Sequence, residues 1–264
     1  MPDEVVSQHV DLPETYARPG DVAGKRVVIT GASRGLGRVL ATAFSRGGAR
    51  VTLVSRTEAD LKAVAGELPG PSLVVPGEVT DEECNEAVAD ATVREWGGVD
   101  AWICNAGISP VVAGPRKTSA AAWREILDVN LTGAFLGARA AARVMGDGGR
   151  VIFTGSVLGD RPREGLAAYS ASKAGLVGLA KALALDLAPA GITVNVVAPG
   201  WFDTPLVEPW KHHAELGAGV LAHTALKRWG APADLVGAYE FLASDASAFV
   251  TGTVLTVDGG WMGR

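Results

Sequence analysis

The stretch RVVITGASRGLG, residues 26–37, decides the fold. Arg26–Thr30 is a short β-branched run without polar alternation, the pattern of a parallel strand covered on both faces. It runs into Thr30-Gly31-Ala32-Ser33-Arg34-Gly35-Leu36-Gly37, and the RVLATAFSRGG that follows has helical periodicity. Strand, glycine turn and helix make the first βα unit of a dinucleotide fold. Glycines let a phosphate approach the backbone, and the helix N-terminus attracts its charge. The spacing is G-x-x-x-G-x-G rather than G-x-G-x-x-G, so the reading rests on position between strand and helix. Gly31, Ser33, Arg34, Gly35, Leu36 and Gly37 are the candidate cofactor-binding residues here.

Working outward, Arg50–Val54, Ser72–Val75, Val99–Cys104, Val151–Thr154, Thr193–Val197 and Thr253–Val257 read as further strands. Thr80-Asp81-Glu82-Glu83 reads as a capping box for a helix to Trp96. A second helix is expected from Ala120 to Met145, a third from the Tyr169 region to Leu187, and a fourth from Pro232 to Leu242. Alternating strands and helices predict an α/β protein: one Rossmann-type doubly wound domain over residues 23–264, with a seven-stranded parallel sheet flanked by helices. Residues 1–22 read as a polar N-terminal extension.

The chain has 264 residues, 48% of them hydrophobic and 20% charged, enough for a sizeable core. Its net charge of −5 gives no footprint for nucleic acid. It has no apolar run of about 18 residues and no signal-peptide pattern, so no membrane span and a cytoplasmic location are expected. Cys84 and Cys104 read as core residues of a reducing compartment rather than a disulfide, with a catalytic Cys104 the sharper alternative.

The second strand ends at Ser55-Arg56, where an NAD binder normally places Asp or Glu against the ribose hydroxyls. Here a small Ser is followed by Arg, and Arg34 is a second cation, so the pair points to NADP(H) over NAD(H). Asn105-Ala106-Gly107 follows the fourth strand at its C-terminal end, where ligands sit in open α/β sheets. Asn130 interrupts a helix interior, where its side chain competes for backbone bonds; it either faces solvent or has a task.

Ser156 precedes a segment in which Tyr169 and Lys173 are four residues apart, one helical turn on one face. A Lys ammonium beside a Tyr hydroxyl favours the phenolate and should lower its pKa toward neutrality, for proton transfer. The Tyr169 helix is apolar around much of its circumference, and Leu176, Leu179 and Leu183 suggest burial against a second subunit. Beyond Pro199-Gly200 the βα rhythm breaks, as in a lid or binding loop. Trp201, Phe202 and Trp210 there suit an apolar pocket wall. His212, His213 and His223 read as helix surface and no metal site is expected. Arg161 and Arg163, between Ser156 and Tyr169, are either solvated or hold an anionic substrate.

Together and in this order, the glycine turn, Asn105-Ala106-Gly107, Asn130, Ser156, Tyr169-x-x-x-Lys173, Pro199-Gly200 and Asp258-Gly259-Gly260 resemble the short-chain dehydrogenase/reductase family from about Gly24 onward. One departure is Glu78, where the family usually has Asp before the adenine-contacting residue, here Val79. The resemblance implies hydride transfer between NADP(H) and a carbonyl or alcohol substrate. In it Tyr169 is the general acid/base, and Lys173 tunes it and holds the nicotinamide ribose. Ser156 polarises the substrate oxygen, and Asn130 anchors a water joining Lys173 to solvent. Asn105, Ala106 and Gly107 line the cofactor, and Pro199, Gly200 and Thr204 cover the nicotinamide. It also implies a homotetramer.

The C-terminal region resembles gluconate 5-dehydrogenase-like and 3-oxoacyl-carrier-protein reductase-like members, and a sugar or polyol dehydrogenase is the preferred reading. Two other classes fit the sequence less well: a non-catalytic NADP(H) sensor, which needs none of the proton chemistry, and a sulfonium-dependent Rossmann methyltransferase, against which Tyr169, Lys173 and the paired Arg speak.

Overall fold

The computed structural model describes residues 20–109, 112–205, 207–211 and 214–263. Most of the expected extension, His212 and His213 lie outside the described residues, as does the side chain of Trp210. Seven strands form one parallel sheet: β1 (Arg26–Thr30), β2 (Arg50–Ser55), β3 (Ser72–Pro76), β4 (Ala101–Cys104), β5 (Arg150–Thr154), β6 (Thr193–Pro199) and β7 (Val254–Val257). Their order is β3-β2-β1-β4-β5-β6-β7. The order reverses between β1 and β4, which opens a crevice at their C-terminal ends.

The helices are α1 (Gly35–Arg46), α2 (Glu58–Ala65), α3 (Glu82–Trp96), α4 (Ala120–Leu127), α5 (Gly133–Val144), α6 (Ala167–Leu187), α7 (Glu208–Lys211), α8 (Ala214–His223) and α9 (Val236–Ala243). Strand alternation splits the core into two layers. Val27, Ile29, Val51, Leu53 and Ile103 pack with Leu40 and Phe44 of α1, Leu61 of α2 and Leu242 of α9. Val28, Val54, Trp102, Val151 and Phe153 pack with Val88 of α3, Ala138 of α5 and Leu176 of α6. Both faces of the sheet are covered, and each large side chain withdrawn from water contributes about 1.5–3 kcal/mol.

Several boundaries depart from the sequence expectation. The helix expected from Ala120 to Met145 is interrupted by a π-helical turn at Asp128–Thr132. The cap of α3 is Asp81, whose carboxylate accepts from the Glu83 and Cys84 amides, rather than a Thr80–Glu83 box. Pro232 opens a 3-10 turn, Pro232–Leu235, and only then does α9 begin. Leu176 is buried, whereas Leu179 and Leu183 are half-buried, packed against the chain's own core. Val22, the last residue of the expected extension, is buried under α1.

Gly37 sits where α1 leaves the glycine turn. A methyl group there would overlap the Gly31 carbonyl oxygen, a backbone atom that cannot step aside. Gly37→Ala should therefore push α1 off β1 and cost about 1–3 kcal/mol in chemical denaturation. An unchanged unfolding midpoint would contradict this close packing.

Candidate active site

Thr30 and Thr154, at the ends of β1 and β5, organise the crevice. The Thr30 hydroxyl accepts from the backbone N–H groups of Asn105 and Ala106, each at 3.0 Å. Asn105 Nδ2 donates to the Thr30 carbonyl at 3.0 Å, and the Thr154 hydroxyl reaches Asn105 Oδ1 at 3.4 Å. Gly31 has φ of +68°, and a Cβ there would stand 2.9 Å from Ala106 Cα. The glycine turn and Asn105-Ala106-Gly107 are thus pressed together.

Asn130 lies in the π turn and is buried. Its Oδ1 accepts from the Ile108 amide at 2.8 Å, and its Nδ2 donates to the Ile108 carbonyl at 3.0 Å and to Ser172 Oγ at 3.1 Å. The side chain therefore pairs with one residue's backbone as a neighbouring strand would. The wider turn is a local adjustment of the helix of the kind found at functional sites. Of the two sequence alternatives, a solvent-facing Asn130 is excluded.

Tyr169 and Lys173 lie one turn apart on α6, both buried. Lys173 Nζ donates to the Thr154 carbonyl at 2.7 Å and stands 5.7 Å from the centre of the Tyr169 ring. A Cβ on Gly107 would lie 3.4 Å from Asn130 Oδ1 and 3.5 Å from Lys173 Nζ, so both atoms border one point. Ser156 Oγ accepts from the Leu158 amide at 3.2 Å and is hydrogen-bonded to Tyr169. Burial raises the Tyr169 pKa above its ordinary value, and the Ser156 bond only partly offsets this. Burial also lowers Lys173 to about 8. The expectation that Lys173 lowers Tyr169 is thus reversed here: desolvation disfavours both charged forms, so the phenol stays protonated.

The cofactor candidates border the same crevice. The α1 N-terminus has no side-chain cap and no acid in its first turn, leaving its amides to an anion. Ser55 Oγ is buried and has no partner. Arg34 and Arg56 are exposed and form no ion pair among the described residues. Glu78 and Val79 follow β3 and Gly77, whose amide donates to the Ser55 carbonyl at 2.8 Å. Pro199 ends β6, and the segment through Gly200 and Thr204 crosses the glycine turn, bringing Pro205 Cδ to 3.8 Å from the Cβ position of Gly35. An orphaned hydroxyl, uncapped amides and a cradle that a side chain would fill all fit a dinucleotide phosphate and ribose.

On the other side, Tyr169 belongs to a small apolar cluster with Val157, Leu158, Leu166, Trp201, Val220 and Trp261, with Trp229 packed on it. Phe202 is not part of this wall, contrary to expectation. It turns into the main core with Leu235 and Tyr239, and the Gly230 backbone fits against its ring. Cys104 is buried, and burial pushes its thiol well above the ordinary range, which excludes a nucleophile. It forms no disulfide with Cys84. His223 is exposed, and no group of metal-ligating side chains exists among the described residues.

Sequence reasoning missed Thr30, Thr154, Ser172, Tyr239, Trp229 and Trp261. Tyr239 is fully buried on α9 and hydrogen-bonds the Thr154 hydroxyl at 2.8 Å, supporting the residue whose carbonyl holds Lys173. Trp261 was legible in part: Asp258-Gly259-Gly260 folds as a turn whose Asp258 carboxylate accepts from the Gly260 and Met262 amides, and this seats the ring.

This fold and site define a nucleotide-dependent α/β oxidoreductase. A family model described as enoyl-(acyl carrier protein) reductase matches residues 31–262. The chain is 40% identical to 3beta-hydroxysteroid dehydrogenase 1 of Eggerthella lenta, covering 91% of this chain and 94% of that one. It is 37% identical to the 3-oxoacyl-[acyl-carrier-protein] reductase of Escherichia coli, covering 90% and 97%. A solved structure from Beutenbergia cavernae, provisionally assigned as an NAD(P)-dependent gluconate 5-dehydrogenase and holding NADP at low occupancy, superposes with TM-score 0.88. That protein is 37% identical, with 94% of this chain and 100% of that one covered. The chain belongs to the short-chain dehydrogenase/reductase family and acts as an oxidoreductase on the CH–OH/C=O pair.

Asn130→Ala should leave the Ile108 amide and carbonyl without partners and cost about 1–3 kcal/mol of stability. Hydrogen exchange should show the Ile108 amide losing its protection. Retained protection at Ile108 would show that the π turn does not depend on this side chain.

Proposed function

We propose that the protein is an NADP(H)-dependent oxidoreductase that interconverts a ketone and a secondary alcohol, with Tyr169 as general acid/base. The observation that carries this reading is the pair of buried side chains Tyr169 and Lys173, with the half-buried Ser156 hydrogen-bonded to Tyr169 and Lys173 Nζ on the Thr154 carbonyl, beside the dinucleotide crevice. The nicotinamide, when bound, supplies or accepts the hydride. Ser156 orients the substrate oxygen, an electrostatic contribution made by a fixed dipole. Tyr169 is held protonated by burial and delivers its proton to that oxygen in reduction. Lys173, lowered to about 8, gives or takes a proton near physiological pH. Asn130 Oδ1 and Lys173 Nζ meet beside Gly107, where a water held by Asn130 would connect Lys173 to solvent.

NADP(H) rather than NAD(H) is supported by the partnerless Ser55 hydroxyl, the absence of a carboxylate beside it, and the exposed Arg34 and Arg56. The Beutenbergia relative was solved with NADP. Gly31, Ser33, Arg34, Gly35, Leu36 and Gly37 would hold the phosphates. Ser55 and Arg56 would meet the adenosine ribose, and Glu78 and Val79 the adenine. Asn105, Ala106, Gly107, Tyr169, Lys173, Pro199, Gly200 and Thr204 would surround the nicotinamide half.

For the substrate we favour a sugar or polyol over a 3-oxoacyl chain. Three indoles at the catalytic Tyr suit the C–H faces of a compact ring. A homotetramer is supported by Trp123 of α4, Phe135 of α5 and Leu185 of α6, which are exposed on this chain. Unpaired Cys84 and Cys104 fit a cytoplasmic setting.

Tyr169→Phe should abolish NADPH-linked ketone reduction while leaving the NADPH dissociation constant within a few-fold. Substantial retained turnover would sink the assignment. Two Arg contacts to a 2′-phosphate, at about tenfold each, give NADPH on the order of a hundredfold advantage over NADH. Ser55→Asp should reverse that preference; equal constants for NADH and NADPH in the unmodified protein would contradict the Arg34 and Arg56 roles.

A further inference from the structure

The loop between Ser156 and Tyr169 places two guanidinium groups on the aromatic wall. Arg163 lies 5.1 Å from the centre of the Trp201 ring and 5.9 Å from that of Trp261. Arg161 lies 5.0 Å from the Trp261 ring and donates to the Trp261 carbonyl at 3.3 Å. Trp201 and Trp261 themselves meet edge to face, with centres 6.3 Å apart. The loop is braced: the Gly165 carbonyl accepts from the Ala113 amide at 3.0 Å, and the Arg163 carbonyl from the Leu166 amide at 3.3 Å.

Two other partly buried Arg side chains among the described residues are answered by protein acceptors. Arg26 is paired with Asp100 at 2.6 Å, and Arg150 reaches the Gly148, Gly149 and Ser244 carbonyls and Asp245. Arg163 is partly desolvated and repelled by Arg161, yet no carboxylate among the described residues pairs with it. Its neighbours Asp160 and Glu164 are exposed and form no ion pair with it. A guanidinium stacked on indoles keeps an in-plane N–H fork for a second ligand, and that fork matches a carboxylate bidentately. In a chain of net charge −5, Arg163 brings a cation onto the aromatic cluster that Tyr169 shares.

We infer that Arg163, stacked on Trp201 and Trp261, is a specificity-determining residue that binds a carboxylate on the substrate, which is therefore a hydroxy acid or oxo acid. This rests on the carbonyl/alcohol reading proposed above and narrows its substrate class. The carboxylate sits at the end of the substrate remote from the reacting carbon, because Arg163 contacts the Trp201 and Trp261 rings of the Tyr169 cluster and not Tyr169 itself. Trp261 is then a positioning residue, holding the guanidinium from the C-terminal turn.

The test compares 4-oxocyclohexanecarboxylate with its neutral isostere, 4-oxocyclohexanecarboxamide. Binding of each to the full-length protein saturated with NADP+ is measured by calorimetry, and NADPH-linked reduction of each is measured in parallel. The inference predicts at least tenfold tighter binding of the carboxylate. Arg163→Gln should remove that advantage, bringing the carboxylate to the level of the amide, with the effect on KM rather than kcat. Arg163→Lys, which keeps the charge but not the fork, should restore part of it. Equal affinities in the unmodified protein, no detectable carboxylate binding, or an advantage that survives Arg163→Gln would overturn the inference. Carboxylate selectivity without NADPH oxidation on either ketone would instead overturn the carbonyl/alcohol reading and leave the Arg163 site standing.

Discussion

A single buried contact, Lys173 Nζ on the Thr154 carbonyl, holds the site in register. Taking an ammonium out of water is costly unless acceptors replace the lost hydration. In this protein the acceptor is a backbone carbonyl at the end of β5, not a carboxylate, so the charge is only partly compensated and the group titrates near 8. The rest of the site serves that arrangement. Tyr239 props the Thr154 hydroxyl from α9, Asn105 reaches the same hydroxyl from β4, and Asn130 fixes the Ile108 segment against α6 through Ser172. Both layers of helices contribute, which ties the chemistry to the integrity of the sheet.

The crevice divides into two chemically distinct halves. Toward β1 and β2 it offers backbone amides, glycines, the Ser55 hydroxyl and two exposed Arg, a surface for phosphate and ribose. Toward α6 and the C-terminal turn it offers indoles with a guanidinium over them. Tyr169 and Ser156 stand at the junction, where a substrate oxygen on one side would face a nicotinamide on the other. Short loops at the strand ends hold the first half, whereas the long segment after β6 and the last residues of the chain build the second.

β1, β5 and β6 were legible because a buried, mostly β-branched run leading into glycine has few other uses, and all seven strands lie within two residues of the expected bounds. The glycine turn, Asn105, Ser156, Tyr169 and Lys173 were legible as a set because their order and spacing match one family. What escaped was set by tertiary contact. The π turn at Asn130 arises from pairing with Ile108, which lies 22 residues earlier in the chain. The Tyr239 link to Thr154 spans 85 residues and leaves no local signal. The α2 helix is eight residues long and too brief to stand out by periodicity. The direction of the Tyr169 shift depends on burial, and spacing alone weighs a neighbouring charge without the desolvation that opposes it.

Lys173 is buried beside Tyr169 with a single backbone carbonyl as its acceptor among the described residues, which brings its proton exchange into the physiological range. The most direct test is an NMR titration of the Lys173 side chain, with 13C at Cε, in the cofactor-free protein; Lys173→Met provides the assignment. The account predicts a midpoint near 8, set apart from the other lysines. A midpoint at the ordinary lysine value of about 10.4 would contradict it, since the ammonium would then be solvated.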